Sequence, residues 1–64
     1  MELPFGATEE DFERCKMIIL KLANNKTGLN EITLTIMNIS YSTGGDYSDK
    51  IILEYAKSYL KVDS

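Results

Sequence analysis

Cys15 is the one thiol in 64 residues, and no histidine stands anywhere in the chain to activate it. A nucleophile of this kind needs a base within hydrogen-bond reach, so a lysine or a carboxylate would have to serve. Cys15 also falls between Phe12 and Ile19 at helical spacing, where a cysteine behaves as a small hydrophobe. The packing role is the better reading of it. Asp46, Asp49 and Glu54 come nearest to a hard-cation set, but they lack the glycine position and terminal glutamate of a calcium loop. One cysteine without histidine leaves zinc almost no ligands. Gly44-Gly45 precedes a helix start, where an anion could bind. A phosphate loop requires GxxxxGK[ST], however, and Asp46 and Asp49 flank this turn with the wrong charge. No catalytic, cofactor-binding or metal-ligating residues are expected, and no small-molecule substrate is evident.

The side chains better suited to function are those that bind surfaces. Four tyrosines occur, at 41, 47, 55 and 59. Tyrosine brings a large apolar area with a polar end, which suits protein interfaces. Tyr55 and Tyr59 lie i,i+4 on an apolar helix face and are expected to pack. Tyr41 and Tyr47 bracket the glycine turn and are expected to be exposed. Lys50, Lys57 and Lys61 form a basic stripe that could meet DNA phosphates, faintly like the second helix of a helix-turn-helix. That motif needs a turn of about 3–4 residues, shorter than the connection available here. The segment also lacks arginine, the commonest reader of guanine.

Three segments must position these groups. Residues 48–62, SDKIILEYAKSYLKV, carry Ile51, Tyr55, Tyr59 and Val62 at spacings of three and four, with Ile52, Ala56 and Leu60 widening the same side. That apolar set covers roughly 200° of the helix, more than one neighbour can bury. Ser48 or Asp46 can cap it. The first helix begins at Thr8, with acidic residues in its first turn and Asp11 in capping-box position. Phe12, Cys15, Ile19 and Leu22 form its stripe, with Ile18 and Ala23 at the margins and Met17 and Leu20 outside it. Asn24 to Gly28 reads as a stop and a turn.

The middle segment is open to two readings. As a helix, Leu29, Ile32, Ile36 and Ile39 share a face, with Asn30 or Thr27 as cap. As a strand, Ile32, Leu34 and Ile36 alternate with Thr33 and Thr35, and the β-branched content fits. The alternation fails at Met37, and the turn available at Asn38 for a hairpin lacks glycine.

Length and charge bound the remainder. A chain of 64 residues makes one domain at most, and so small a domain has little margin between burial and entropy. Seven basic against ten acidic residues give a net charge of −3, which opposes non-specific attraction to nucleic acid or anionic lipid. At 44% hydrophobic and 27% charged, the composition is not that of a disordered chain. No apolar run approaches the roughly 18 residues of a membrane span. The acidic start MELPFGATEED does not read as a secretory signal. A cytoplasmic protein is expected.

The expected fold is all-α: a three-helix domain over residues 1–64, with helices Thr8–Asn24, Asn30–Ser40 and Ser48–Val62 and residues 1–7 as an N-terminal arm. The alternative is α+β, with a central strand or hairpin between two helices. The expected core is Phe12, Cys15, Ile19, Leu22, Ile32, Ile36, Ile39, Ile51, Ile52, Tyr55 and Tyr59. The expected function is a non-catalytic protein–protein interaction module, a small regulator or inhibitor that self-associates as a homodimer or occludes a site on a larger protein. Its contact residues would be Met17, Leu20, Leu34, Met37, Tyr41, Tyr47, Leu53 and Leu60. The alternative function is a small DNA-binding regulator using Lys50, Lys57 and Lys61.

Overall fold

Thr8 and Asp11 start the first helix by bonding each other's backbone. The Asp11 N–H donates to Thr8 Oγ1 and the Thr8 N–H to Asp11 Oδ2, each at 3.1 Å, which closes a capping box. The computed structural model describes residues 2–23, 27–44 and 46–61, and in it the chain forms α1 (Glu9–Leu22), α2 (Leu29–Ser42) and α3 (Asp49–Leu60). Each helix packs against both others in an all-α bundle of 29 × 21 × 15 Å, without a strand among the described residues. Asn24, Val62 and the Asn24–Lys26 part of the expected turn lie outside the described residues, as does Gly45.

The middle segment is helical, and its polar side chains are accommodated on the helix itself. Thr33 Oγ1 donates to the Leu29 carbonyl at 2.8 Å, Thr35 Oγ1 to that of Glu31 at 2.9 Å, and Asn38 Nδ2 to that of Leu34 at 2.8 Å. Hydroxyl and amide groups that would compete with a helix are thus turned back onto its carbonyls. Neither Asn30 nor Thr27 is the N-cap. Gly28 takes that place at φ +71°, with no side-chain cap bond, because the chain enters α2 through a left-handed turn.

The core consists of Phe12, Cys15 and Ile19 from α1, Ile36 and Met37 from α2, and Ile52 and Ala56 from α3. The α1 stripe is as its spacing predicts, apart from Leu22, which is half-buried at its end. α2 and α3 are turned from their expected faces. In α2 the buried line is Thr33, Ile36, Met37 and Ser40, rotated by roughly 70° from the Leu29–Ile32–Ile36–Ile39 face. A helix that touches two neighbours must centre its whole apolar arc between them. The small Thr33 and Ser40 come to the middle while Leu29, Ile32 and Leu34 flank the core half-buried. Both buried hydroxyls are satisfied, Thr33 within its helix and Ser40 by the Asp46 carbonyl.

In α3 the centre is Ile52 and Ala56 in place of Ile51, Tyr55 and Tyr59. Ala56 admits close approach, and the larger Tyr55 and Leu60 close the margins. Tyr59 leaves the core altogether, with 46% of its surface exposed. Ser48 is the N-cap residue of α3 but makes no side-chain cap bond; its own N–H donates to Asp46 Oδ1 at 3.1 Å. No helix among the described residues is long and apolar enough to cross a membrane.

Candidate interaction surface

The first surface lies between α1 and α3. Arg14 joins these helices: its guanidinium donates to Asp49 on α3 and, at 2.9 Å, to Asp11 one turn back on α1. Beyond this ion pair the helices leave an open groove of about 410 Å³, lined by Ile18, Lys21, Leu22, Asp49, Lys50 and Leu53. Its floor is apolar, from Ile18, Leu22 and Leu53. Lys21 rises on the α1 side and Lys50 on the α3 side, both exposed. Neither ammonium has an ion-pair partner among the described residues. Met17, 52% exposed, stands four residues before Lys21 on the outer side of α1.

The second surface is aromatic and lies where the N-terminal arm crosses the end of α2. Pro4 is buried and Leu3 packs on the core, so the arm is folded back. The Ala7 N–H donates to the Pro4 carbonyl at 3.0 Å, forming a turn that carries Phe5 outward with 83% of its surface exposed. The Phe5 ring tilts at 51° to that of Tyr41, with centroids 6.5 Å apart. The Tyr47 hydroxyl donates to the Phe5 carbonyl at 3.0 Å. Tyr47 is half-buried, and that burial raises its phenol pKa above the ordinary value.

The residues expected to bind a partner therefore separate into four groups. Leu53 belongs to the groove, Met17 extends from it, and Tyr41 and Tyr47 meet at the aromatic surface. Leu20, Leu34 and Leu60 are half-buried, Leu34 and Leu60 against the core. Met37 has no exposed surface and is a core residue, because the rotation of α2 carries it inward. Lys50 and Lys61 are exposed and Lys57 is half-buried. Ile18, Lys21 and Phe5 were not among the expected contacts. Ile18 reads as a stripe margin, and only the packing of α3 alongside leaves it on a groove floor.

The groups with chemical potential are occupied elsewhere. Cys15 is fully buried, and burial pushes its thiol from an ordinary 9.0 up to about 11. The Asp11 carboxyl is held below its usual range, first by the Thr8 backbone N–H and then by Arg14. Asp46 is lowered by the backbone N–H of Ser48. Among the described residues no three metal-ligating side chains gather, so Asp46, Asp49 and Glu54 do not form a cluster. Fold and surface together define a three-helix bundle with an open α1–α3 groove and an arm-borne aromatic patch. Comparison with protein-family models, curated proteins and solved structures finds no match to the chain.

Proposed function

We propose that this protein is a non-catalytic protein–protein interaction module, a small cytoplasmic regulator or inhibitor that covers a site on a larger protein and can self-associate. The observation that supports it is the α1–α3 groove, whose Ile18, Leu22 and Leu53 remain at the surface after every helix has packed against both others. A contiguous apolar floor with a polar rim is the usual anatomy of a contact site on a small protein. Met17 and the Phe5–Tyr41 pair enlarge the available apolar area. The simplest self-association is a two-fold homodimer, in which the same patch serves both copies.

Sedimentation equilibrium from micromolar to hundred-micromolar concentration tests the homodimer. The wild-type mass should rise toward twice the chain mass, and Leu53→Glu and Met17→Glu should hold it at one. A wild type that stays monomeric throughout removes self-association and leaves the larger partner. Duplex DNA is the competing partner, through Lys50, Lys57 and Lys61. Its contacts would be strongest at low salt, so the absence of binding near about 20 mM salt removes it.

A further inference from the structure

The geometry points to the α1–α3 groove as the docking site for an acidic amphipathic helix of another protein, with apolar side chains on the floor and carboxylates on Lys21 and Lys50. This rests on the interaction reading above and names the partner's chemistry. The first argument is charge. The chain carries −3 overall, yet the groove's two walls each present a lysine without an ion-pair partner among the described residues. The one carboxylate in the lining, Asp49, is already held by Arg14. An occupant therefore meets an apolar floor between two positive rims, which selects carboxylates on both its flanks and repels ammonium groups.

The second argument is shape. The floor residues Ile18 and Leu22 are one helical turn apart on α1, and the lining on α3 runs over Asp49–Leu53, again one turn. A helix placing two apolar side chains i,i+4 into this length matches it, which is the ordinary way an amphipathic helix enters a groove. α1 and α3 already supply two walls, so the occupant takes the place of a fourth helix. A footprint of one turn on each wall is small, and the affinity follows as weak, on the order of 100 µM.

The probe is a capped peptide of about 15 residues, long enough to hold some helix. It has leucines at i,i+4 with glutamates on both flanks, and two control peptides replace the glutamates by lysine or the leucines by alanine. Titration into the ¹⁵N-labelled full chain should shift the amides of Ile18, Lys21, Leu22, Lys50 and Leu53. The lysine peptide should bind about tenfold more weakly, since two attractive pairs become repulsive. Lys21→Glu/Lys50→Glu should invert that preference; both side chains are exposed, and an unchanged circular dichroism spectrum would show the fold retained. Equal binding of the acidic and basic peptides, no shifts at millimolar peptide, or shifts confined to Phe5 and Tyr41 would overturn the assignment. Sedimentation on the same samples separates the two readings. A dimer broken by Leu53→Glu that the acidic peptide does not compete with places a second copy in the groove, ending this inference but not the interaction reading. Groove shifts produced by duplex DNA and not by the acidic peptide would assign the lysines to phosphate and overturn both.

Discussion

The phenolic hydroxyl of Tyr47 donates to the backbone carbonyl of Phe5 at 3.0 Å, linking positions 42 residues apart. With Pro4 buried and Leu3 on the core, this bond fixes the arm and holds the Phe5 ring in solvent against Tyr41. Tyr47→Phe should cost about 1 kcal/mol or less, because the bond is exposed and water can replace it. Its sharper effect is local: amide exchange over residues 5–7 should accelerate while that of α1, α2 and α3 is unchanged. Uniform acceleration would mean that Tyr47 supports the whole bundle.

Thr8→Ala removes one half of the α1 capping box and should cost about 1 kcal/mol at neutral pH, measured by urea unfolding. It should leave the acid limb of stability almost unchanged. The Asp11 carboxyl lies lower in the folded chain than in the unfolded one, so its contribution is complete above the unfolded value near 3.8. That contribution is lost as pH falls through the folded value. The backbone N–H at position 8 and Arg14, the leading causes of that lowering, both survive Thr8→Ala, so the acid limb should keep its slope, whereas Asp11→Asn should flatten it.

The two buried hydroxyls of α2 should respond in opposite ways. Thr33 bonds the Leu29 carbonyl within its own helix, so Thr33→Val leaves no buried group unpaired and should be neutral or stabilising by up to about 1 kcal/mol. Ser40 ties α2 to the Asp46 carbonyl in the connection to α3, so Ser40→Ala should destabilise by about 1 kcal/mol. Urea midpoints for the pair decide it; two equal losses would show that the Thr33 bond within its helix stabilises as much as the Ser40 bond between segments.

Cys15 should resist thiol reagents in the folded protein. It has no exposed surface, and its thiol titrates near 11. Labelling at pH 8 should be slower than that of the urea-unfolded chain by the factor that disfavours opening of the bundle. The alkaline limb has the opposite sign from the acid one. Between the unfolded value near 9.0 and the folded value near 11 the unfolded chain binds fewer protons, so the thiol contributes a loss of stability as pH rises. Labelling as fast in the folded protein as in the urea-unfolded chain would contradict the burial.

Two left-handed positions at helix ends invite paired substitutions. Gly44 follows α2 at φ +77°, and Lys61 ends α3 at φ +56°, where a side chain is strained. Gly44→Ala should cost about 1 kcal/mol, and Lys61→Gly should stabilise by a similar or smaller amount. Thermal midpoints moving in the same direction would refute the αL assignment of one end.

How far the sequence disclosed this molecule differs from helix to helix. α1 was legible almost entirely, because Thr8 and Asp11 mark its start and its stripe faces both neighbours from one side. α2 is balanced between helix and strand by local pattern, and its packing against both other helices favours the helix. Its facing was not legible, since a periodicity count weighs Ile32 and Ile39 above Thr33 and Ser40. Volume, not hydropathy, decided that contest, as it did when Ala56 displaced Tyr59 in α3. Of the contact residues, Leu53, Met17 and Tyr41 were visible as apolar residues off the main stripe. Ile18 and Lys21 come to line the groove only through the placement of α3, which no local pattern encodes, and Met37 is buried by the rotation of α2.

The fully buried Cys15 has no second cysteine to bond, so nothing covalent preserves the arrangement once the helices part. For a domain of 64 residues the typical margin is only about 3–10 kcal/mol. Its survival against proteases then follows the population of the opened form. A ligand at a hundred times its dissociation constant deepens the folded state by about 2.7 kcal/mol, roughly a hundredfold fewer open molecules. Under the proposed interaction, lifetime would follow occupancy: an unbound copy would turn over sooner than a bound one.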